Sequence, residues 1–126
     1  MIPGRIIRLE DAPKGARLIV CGGREYADRA RVFETLDILS PSEIAQGEAN
    51  GADSLATEWA ARYGVPCARY PALWNIDGQY AAGPRRNRRM FAGFEPDGTV
   101  SFPGGRGTAD MENVTLDGGA WLVRIR

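Results

Sequence analysis

The feature that most constrains the fold is a strand-like run that stops at two glycines and leads into a helical pattern. Residues 18–21 are all apolar, and Gly22 and Gly23 follow directly. Such a run is typical of a buried parallel strand that ends in a tight loop. Asp28 is then placed to cap a helix whose apolar residues recur at helical spacing as far as Leu39.

The same unit is repeated along the chain. Helices are predicted with Asp53 or Ser54 as the cap, with Pro84 as the first residue, and with Thr108 as the cap. Residues 71–83 are predicted to form a loop. Besides residues 17–21, short and partly apolar segments predict four further strands, over residues 43–46, 66–70, 99–102 and 121–125.

Strands that alternate with helices predict an α/β fold. We expect a Rossmann-like three-layer domain with a mainly parallel sheet of about five strands and right-handed crossovers. A chain of 126 residues allows one such domain. We therefore predict a short N-terminal extension over residues 1–16 and a single domain over residues 17–126.

The composition excludes several kinds of chemistry. There is no histidine, which removes Ser-His-Asp and Cys-His catalysis and the common zinc sites. We expect no metal and no cofactor. No segment approaches the ~20 apolar residues of a membrane span, so no membrane partner is expected. Cys21 and Cys67 lie in apolar stretches, which favours buried free thiols and a cytoplasmic protein.

Acidic and basic residues balance at 16 each, which makes a nucleic-acid partner the least favoured of the functions considered. The balance nevertheless hides one basic cluster. Arginine binds phosphate or carboxylate with two parallel hydrogen bonds, so such a cluster indicates an anionic partner. No acidic residue occurs between Asp77 and Glu95, where the cluster comprises Arg85, Arg86, Arg88 and Arg89.

Glycine-rich turns follow three predicted strands and should meet at one sheet edge, where ligands of such folds bind. The most specific turn spans residues 103–108 and predicts a phosphate cradle or, alternatively, a plain strand-to-helix turn. In the first turn Arg24 could clamp phosphate and Tyr26 could stack on a base, or the turn could simply carry a surface arginine and a half-buried tyrosine. The candidate glycines and their neighbours are Gly22, Gly23, Gly47, Gly51, Gly104, Gly105, Arg106, Gly107 and Thr108.

Further candidates flank these turns. Asp53 most simply caps its helix, and a contact to a ribose hydroxyl is the alternative. Arg86 and Asn87 are candidates for binding an anion at a helix start. Trp74 could cover a nucleobase or anchor a long loop.

Four motifs in order carry a resemblance over roughly residues 17–112. They are GGRxY, then GAD before LAxxWA, then a loop Trp followed by AGPxRNRRM, and finally FPGGRGTADM. This order resembles the YspA/YpsA-related branch of the SLOG superfamily. The resemblance implies a Rossmann-like fold, binding or processing of nucleotides and nucleotide-derived signals, and a homo-oligomer. It also allows a role in bacterial or phage conflict.

The superfamily includes the cytokinin-activating phosphoribohydrolases, which cleave a base from a nucleoside monophosphate. Arg86 and Met90 fit their arginine pattern, but Met111 stands where their motif has a glutamate. Asp110 and Glu112 are the neighbouring carboxylates that could serve instead. We therefore predict a module that senses or sequesters a nucleotide-derived signal, with an N-glycosidase as the alternative.

The second glycine turn also departs from this branch. Glu48 and Asn50 occupy positions that usually read Gly and Arg there, which removes a phosphate donor and adds an acid. The ligand is therefore expected to differ from that of close relatives.

Overall fold

A computed structural model describes residues 3–126 of the chain. The strands are β1 (Arg17–Cys21), β2 (Glu43–Gln46), β3 (Cys67–Arg69), β4 (Gly98–Ser101) and β5 (Trp121–Arg124). The helices are α1 (Arg29–Leu39), α2 (Ala52–Tyr63), α3 (Trp74–Asp77), α4 (Ala82–Phe94) and α5 (Arg106–Asp117).

The five strands form one parallel sheet in the order β3-β2-β1-β4-β5. The chain moves outward from β1 to β3 and then returns to place β4 on the other side of β1. At this centre Ile19 of β1 is aligned with Ala45 of β2 and Thr99 of β4. A reversal of strand order opens a crevice at the carboxyl ends of the strands, which is where ligands bind in such sheets.

Two hydrophobic cores cover the two faces of the sheet, which confirms the three-layer fold. Alternate residues of a strand point to opposite faces. Leu18 of β1 belongs to the core that α1 and α2 complete, and Ile19 belongs to the core that α4 and α5 complete. Leu36 is fully buried in the first core, so that Leu36→Ala should destabilise the protein by ~2–5 kcal/mol.

Helix α1 begins and ends as predicted, whereas the predicted caps of α2 and α5 are wrong. Asp28 Oδ1 accepts a hydrogen bond from Arg31 N at 3.0 Å. Helix α2 begins at Ala52 after Gly51, and the Asp53 carboxylate turns back to the preceding loop instead of capping the helix. Helix α5 begins at Arg106, which places Thr108 inside the first turn.

The region before α4 also differs from the prediction. The expected loop over 71–83 contains the short helix α3, which ends at Gly78 with φ of 85°. Helix α4 begins at Ala82 and not at Pro84. Pro84 is tolerated as its third residue because the N–H groups of the first turn have no partner within the helix.

The segment before β1 lies against the far edge of the sheet. Ile6 forms an isolated parallel bridge with Leu122 of β5, and Ile7 N donates to Leu122 O at 2.8 Å. Residues 1 and 2 of the predicted extension lie outside the described residues. No helix within residues 3–126 is long and apolar enough to cross a membrane.

Candidate functional site

A cavity of about 530 Å³ opens at the carboxyl ends of β1, β2 and β4. Its walls come from the β1–α1 and β2–α2 loops, from residues around α3, and from the first turns of α4 and α5. The volume lies in the range of ~300–1,000 Å³ that is usual for small-molecule sites. The crossing of the chain from one side of β1 to the other positions this crevice.

Most of the candidate residues meet at this cavity. The candidates that line it are Gly22, Gly23, Arg24, Gly47, Asp53, Trp74, Arg86, Asn87, Gly105, Arg106, Gly107, Thr108 and Asp110. Four candidates lie elsewhere, namely Tyr26, Gly51, Gly104 and Glu112.

Three of the helices that reach the cavity begin without a side-chain cap. In α2, α4 and α5 no side chain bonds to the N–H groups of the first turn. The start of α4 contributes least, because Ala82 N donates to Gly78 O at 3.1 Å and Pro84 has no N–H. Helix α1, by contrast, is capped by Asp28, and its first residues do not line the cavity. Unpaired N–H groups and the helix dipole give such ends a partial positive charge, which favours an anion.

The glycines of the 103–108 turn serve two different purposes. A Cβ at Gly104 would collide with the Thr108 side chain and lie 2.6 Å from Gly23 N, so this glycine allows two loops to pack. A Cβ at Gly105 or Gly107 would meet no atom within 4 Å. Packing within residues 3–126 therefore does not require glycine at 105 or 107, and both positions line open space in the cavity.

The glycine at 51 shapes its loop and does not line the cavity. Its φ is 77°, and a Cβ there would collide with Gly23 O and lie 2.7 Å from the Arg24 carbonyl carbon. Ala52 N also donates to Gly23 O at 3.3 Å. Gly51 thus holds the β2–α2 loop against the β1–α1 loop, which brings the first two glycine turns together.

The guanidinium of Arg86 is fixed by backbone and side-chain acceptors. Its Nη1 donates to Gly47 O, and its Nε donates to Asn87 Oδ1 at 2.9 Å. Burial lowers the pKa of Arg86, and the negative charge of Asp53 opposes that shift. A cation is therefore held at the cavity wall on the first turn of α4.

Asn87 links that cation to α5. Only 3% of Asn87 is exposed, and its Nδ2 donates to Asp110 Oδ2 at 2.9 Å and to Gly107 O at 3.3 Å. Arg86, Asn87 and Asp110 therefore form one connected polar group across the cavity.

The arginine cluster is not a single patch. Successive helical residues are turned by about 100°, which spreads the four side chains around α4. Arg85 pairs with Asp77 at 3.0 Å, and Arg89 donates to Pro71 O at 2.7 Å. Arg88 lies 3.6 Å from Asp110. Of the four arginines, Arg86 alone lines the cavity in the described chain.

Asp53 organises the β2–α2 loop. Its Oδ2 accepts hydrogen bonds from Gly47 N at 3.0 Å and from Ala49 N at 3.3 Å. Burial raises the pKa of Asp53 to about 6, although the Ala49 N–H, the charge of Arg86 and the Gly47 N–H each act to lower it. The carboxyl group therefore holds the loop in place beside Arg86.

Two aromatic side chains line the cavity, and sequence reasoning identified one of them. The ring of Trp74 is half-exposed, with the Arg24 guanidinium 5.5 Å from its centroid. Tyr80, which lay in the predicted loop, is 90% exposed and was missed. Its position shortly before the arginine segment was the available signal. Tyr26 instead packs against Phe102, with 5.4 Å between ring centroids.

The comparisons agree with this architecture. A model of the YspA, cpYpsA-related SLOG family matches residues 16–76. Residues 16–76 are therefore similar to this SLOG family. The match covers just under half of the chain, from the residue before β1 to within α3, and so includes the first two glycine turns and Trp74. Comparison with curated proteins and with solved structures finds no match.

The two carboxylates of the last motif have different surroundings. Asp110 lines the cavity and contacts Asn87. Glu112 is buried, and its Oε2 lies 2.5 Å from Ser101 Oγ, 2.6 Å from Arg126 Nη2 and 3.4 Å from Arg124 Nε. Glu112 therefore neutralises the end of β5, away from the cavity.

The floor of the cavity contains Cys21 and Met90, which sequence reasoning did not assign to a site. Burial raises the pKa of the Cys21 thiol well above its usual value, and the charges of Asp53 and Glu112 act in the same direction. A protonated thiol is a poor nucleophile. Within residues 3–126 no group of three or more His, Cys, Asp or Glu side chains is placed to hold a metal ion.

Proposed function

We propose that this domain binds a nucleotide or a nucleotide-derived signalling molecule, as a sensor or a sequestering module. The observation that carries the proposal is the meeting of the uncapped starts of α2 and α5 with Arg86 of α4 at one cavity. Each element favours negative charge, and together they suit a phosphate group. The match of residues 16–76 to the YspA, cpYpsA-related SLOG family supports a nucleotide-related role.

The glycines support the same ligand. Gly105 and Gly107 leave the backbone of α5 accessible from the cavity, although packing does not require glycine there. An anion can then approach consecutive N–H groups without meeting a Cβ. Arg106 and the Thr108 hydroxyl lie on the same turn and add donors.

The nucleoside part has apolar surface beside this phosphate subsite. Trp74 and Tyr80 stand at the cavity wall with large exposed fractions. Exposed aromatic rings are suited to stacking on a base. We therefore propose that the phosphate lies against α5 and Arg86 and that the base lies toward the α3 segment.

A thermal-shift screen tests this function. Mono-, di- and cyclic nucleotides and ADP-ribose derivatives are each added to the protein. A ligand at 100 times its Kd should add about 2.7 kcal/mol to the free energy of unfolding. Arg86→Ala should abolish the shift, whereas Arg85→Ala should retain it because Arg85 does not line the cavity. No shift with any phosphate compound contradicts the proposal.

A second candidate function is N-glycosidic cleavage of a nucleotide. It is favoured by Asp110, a carboxylate on the cavity wall that Asn87 holds close to Arg86. Such a carboxylate could stabilise an oxocarbenium-like transition state or orient water. Chromatographic detection of free base separates this activity from binding alone. Turnover that is unchanged in Asp110→Asn would exclude Asp110 from the reaction.

Nucleic-acid binding is not proposed, because Arg85, Arg88 and Arg89 contact neighbouring acids or carbonyls. The cytoplasm remains the proposed compartment, supported by the free thiols of Cys21 and Cys67. The homo-oligomer and the role in conflict that the resemblance implies stay predictions.

A further inference from the structure

A second cavity of about 350 Å³ adjoins the first. Five residues line both cavities, namely Arg24, Gly47, Ala49, Trp74 and Arg86. The two spaces therefore meet along the Arg86 guanidinium and the Trp74 ring. A ligand that fills the first cavity can extend past these side chains into the second.

The outer wall of the second cavity differs from the first in charge. Glu48 and Asn50 line it together with Pro71 and Ala72. The first cavity is bounded by Arg106 and by the positive end of α5, neither of which lines the second. The first cavity also carries Asp53 and Asp110, but Asp53 accepts hydrogen bonds from Gly47 N and Ala49 N, and Asp110 accepts one from Asn87 Nδ2. A carboxylate such as Glu48 accepts hydrogen bonds from neutral donors. The second cavity therefore suits the neutral part of a nucleotide, and the α5 side of the first cavity suits its phosphate.

Glu48 is held in a conformation that a glutamate rarely adopts. Its φ is 61°, in the left-handed region. Oε1 lies 3.3 Å from Gln46 Nε2 and 3.4 Å from Arg69 Nε. Within residues 3–126 Oε2 makes no hydrogen bond or ion pair. The carboxylate is thus held by one oxygen, and the other remains available as an acceptor.

We infer that the two cavities form one bipartite site and that Glu48 determines its specificity. In this site the phosphate lies in the first cavity, and Glu48 accepts a hydrogen bond from a neutral donor of the nucleoside part, a ribose hydroxyl or a base amino group. Trp74 and Pro71 supply apolar surface beside that group. The inference rests on the proposed function and adds the direction in which the ligand binds.

Calorimetric titration tests the inference. The probes are inorganic phosphate, the four ribonucleoside 5′-monophosphates and their 2′-deoxy counterparts. Glu48→Ala should lower the affinity for those nucleotides that bind the wild type by about tenfold. The affinity for inorganic phosphate should be unchanged or higher. Glu48→Gln keeps an acceptor oxygen and should have the smaller effect. Loss of the ribose-over-deoxyribose preference identifies a hydroxyl as the donor, and loss of base discrimination identifies an amino group.

Arg69→Met is the matched control. It removes the ion pair with Glu48 but leaves the carboxylate, and should leave nucleotide affinity unchanged. Equal weakening by Arg69→Met and Glu48→Ala would show that the ion pair and not the acceptor matters, which overturns the inference. Nucleotides that bind no better than phosphate, or that are unaffected by Glu48→Ala, also overturn it while leaving a phosphate site. Failure of both nucleotides and phosphate to bind the wild type overturns the proposed function and the inference together.

Discussion

The guanidinium of Arg86 occupies the space in which residue 47 would carry its side chain. Nη1 donates to the Gly47 carbonyl, and a Cβ added at Gly47 would lie 2.6 Å from Arg86 Cζ. The two residues are 39 positions apart, at the end of β2 and in the first turn of α4. This contact joins the two sides of the cavity and fixes the cation there.

Gly47→Ala is expected to displace the Arg86 guanidinium. The added methyl group overlaps it, so we expect a loss of ~1–2 kcal/mol in the free energy of unfolding and a loss of phosphate-ligand affinity. Chemical denaturation and calorimetric titration measure the two effects. In an Arg86→Ala background Gly47→Ala should have little further effect on affinity. If the two substitutions lower ligand affinity independently, so that their effects add, Gly47 does not act by positioning the Arg86 guanidinium.

The neighbouring glycines of the 103–108 turn should respond in opposite ways. Gly104→Ala meets Thr108 and the Gly23 backbone and should destabilise the protein by ~1–3 kcal/mol. At Gly107, which lies within α5, an added methyl group meets no atom within 4 Å. Gly107→Ala should therefore stabilise the protein by up to ~1 kcal/mol and weaken phosphate binding. Thermal melts with and without ligand compare the pair. Unchanged affinity in Gly107→Ala would mean that no ligand reaches this backbone.

Asp53 makes stability depend on pH in a defined direction. Burial raises its pKa from 3.8 to about 6, so the folded state holds the proton more tightly than the unfolded state does. Stability from this group is fully present below the unfolded pKa and is lost as pH rises through about 6. As pH rises from 3.8 to above about 6, the free energy of unfolding of wild type relative to Asp53→Asn should fall by up to about 3 kcal/mol.

Urea unfolding of both proteins at pH 4, 5, 6 and 7 measures this difference. The comparison with Asp53→Asn subtracts the other carboxyl groups, because they titrate in both proteins. Parallel stability curves would show that Asp53 ionises normally in the folded state.

The two carboxylates of the last motif, Asp110 and Glu112, are expected to have different roles: one affects ligand affinity and the other affects protein stability. Glu112→Gln leaves Arg126 and Arg124 without their shared anion and should destabilise the protein by ~1–3 kcal/mol without changing ligand affinity. Asp110→Asn removes a negative charge from the cavity and should tighten phosphate binding by ~1 kcal/mol. Titrations and denaturation of both variants decide the assignment, and a reversed pattern would exchange the two roles.

Much of the fold could be predicted because its signals are local. The apolar run of β1 and the spacing from Val32 to Leu39 each lie within one element, and both elements are confirmed. The predicted caps at Asp53 and Thr108 were wrong, because both residues lie inside the first turn of their helices. The Asp53 carboxylate bonds to the N–H groups of Gly47 and Ala49 in the loop just before α2, and residue spacing does not distinguish this turn from a helix cap.

The site was predicted in outline and differed in its details. Glycine turns after parallel strands had to meet at one edge, and most of the candidates do line one cavity. Tyr26 and Gly104 do not, because each packs against a neighbouring element. Tyr80 was missed because its loop carries no periodic pattern that would place its side chain.

The sequence by itself determined the five strands, the helices other than α3, the glycine turns between them and the presence of an arginine cluster. These properties depend on backbone propensity and residue spacing within a few positions. Only the tertiary structure decided which arginine lines the cavity, which glycines pack loops and which carboxylate is neutralised by Arg126. Those outcomes depend on distances between residues far apart in the chain, which are set when the two helical layers close on the sheet.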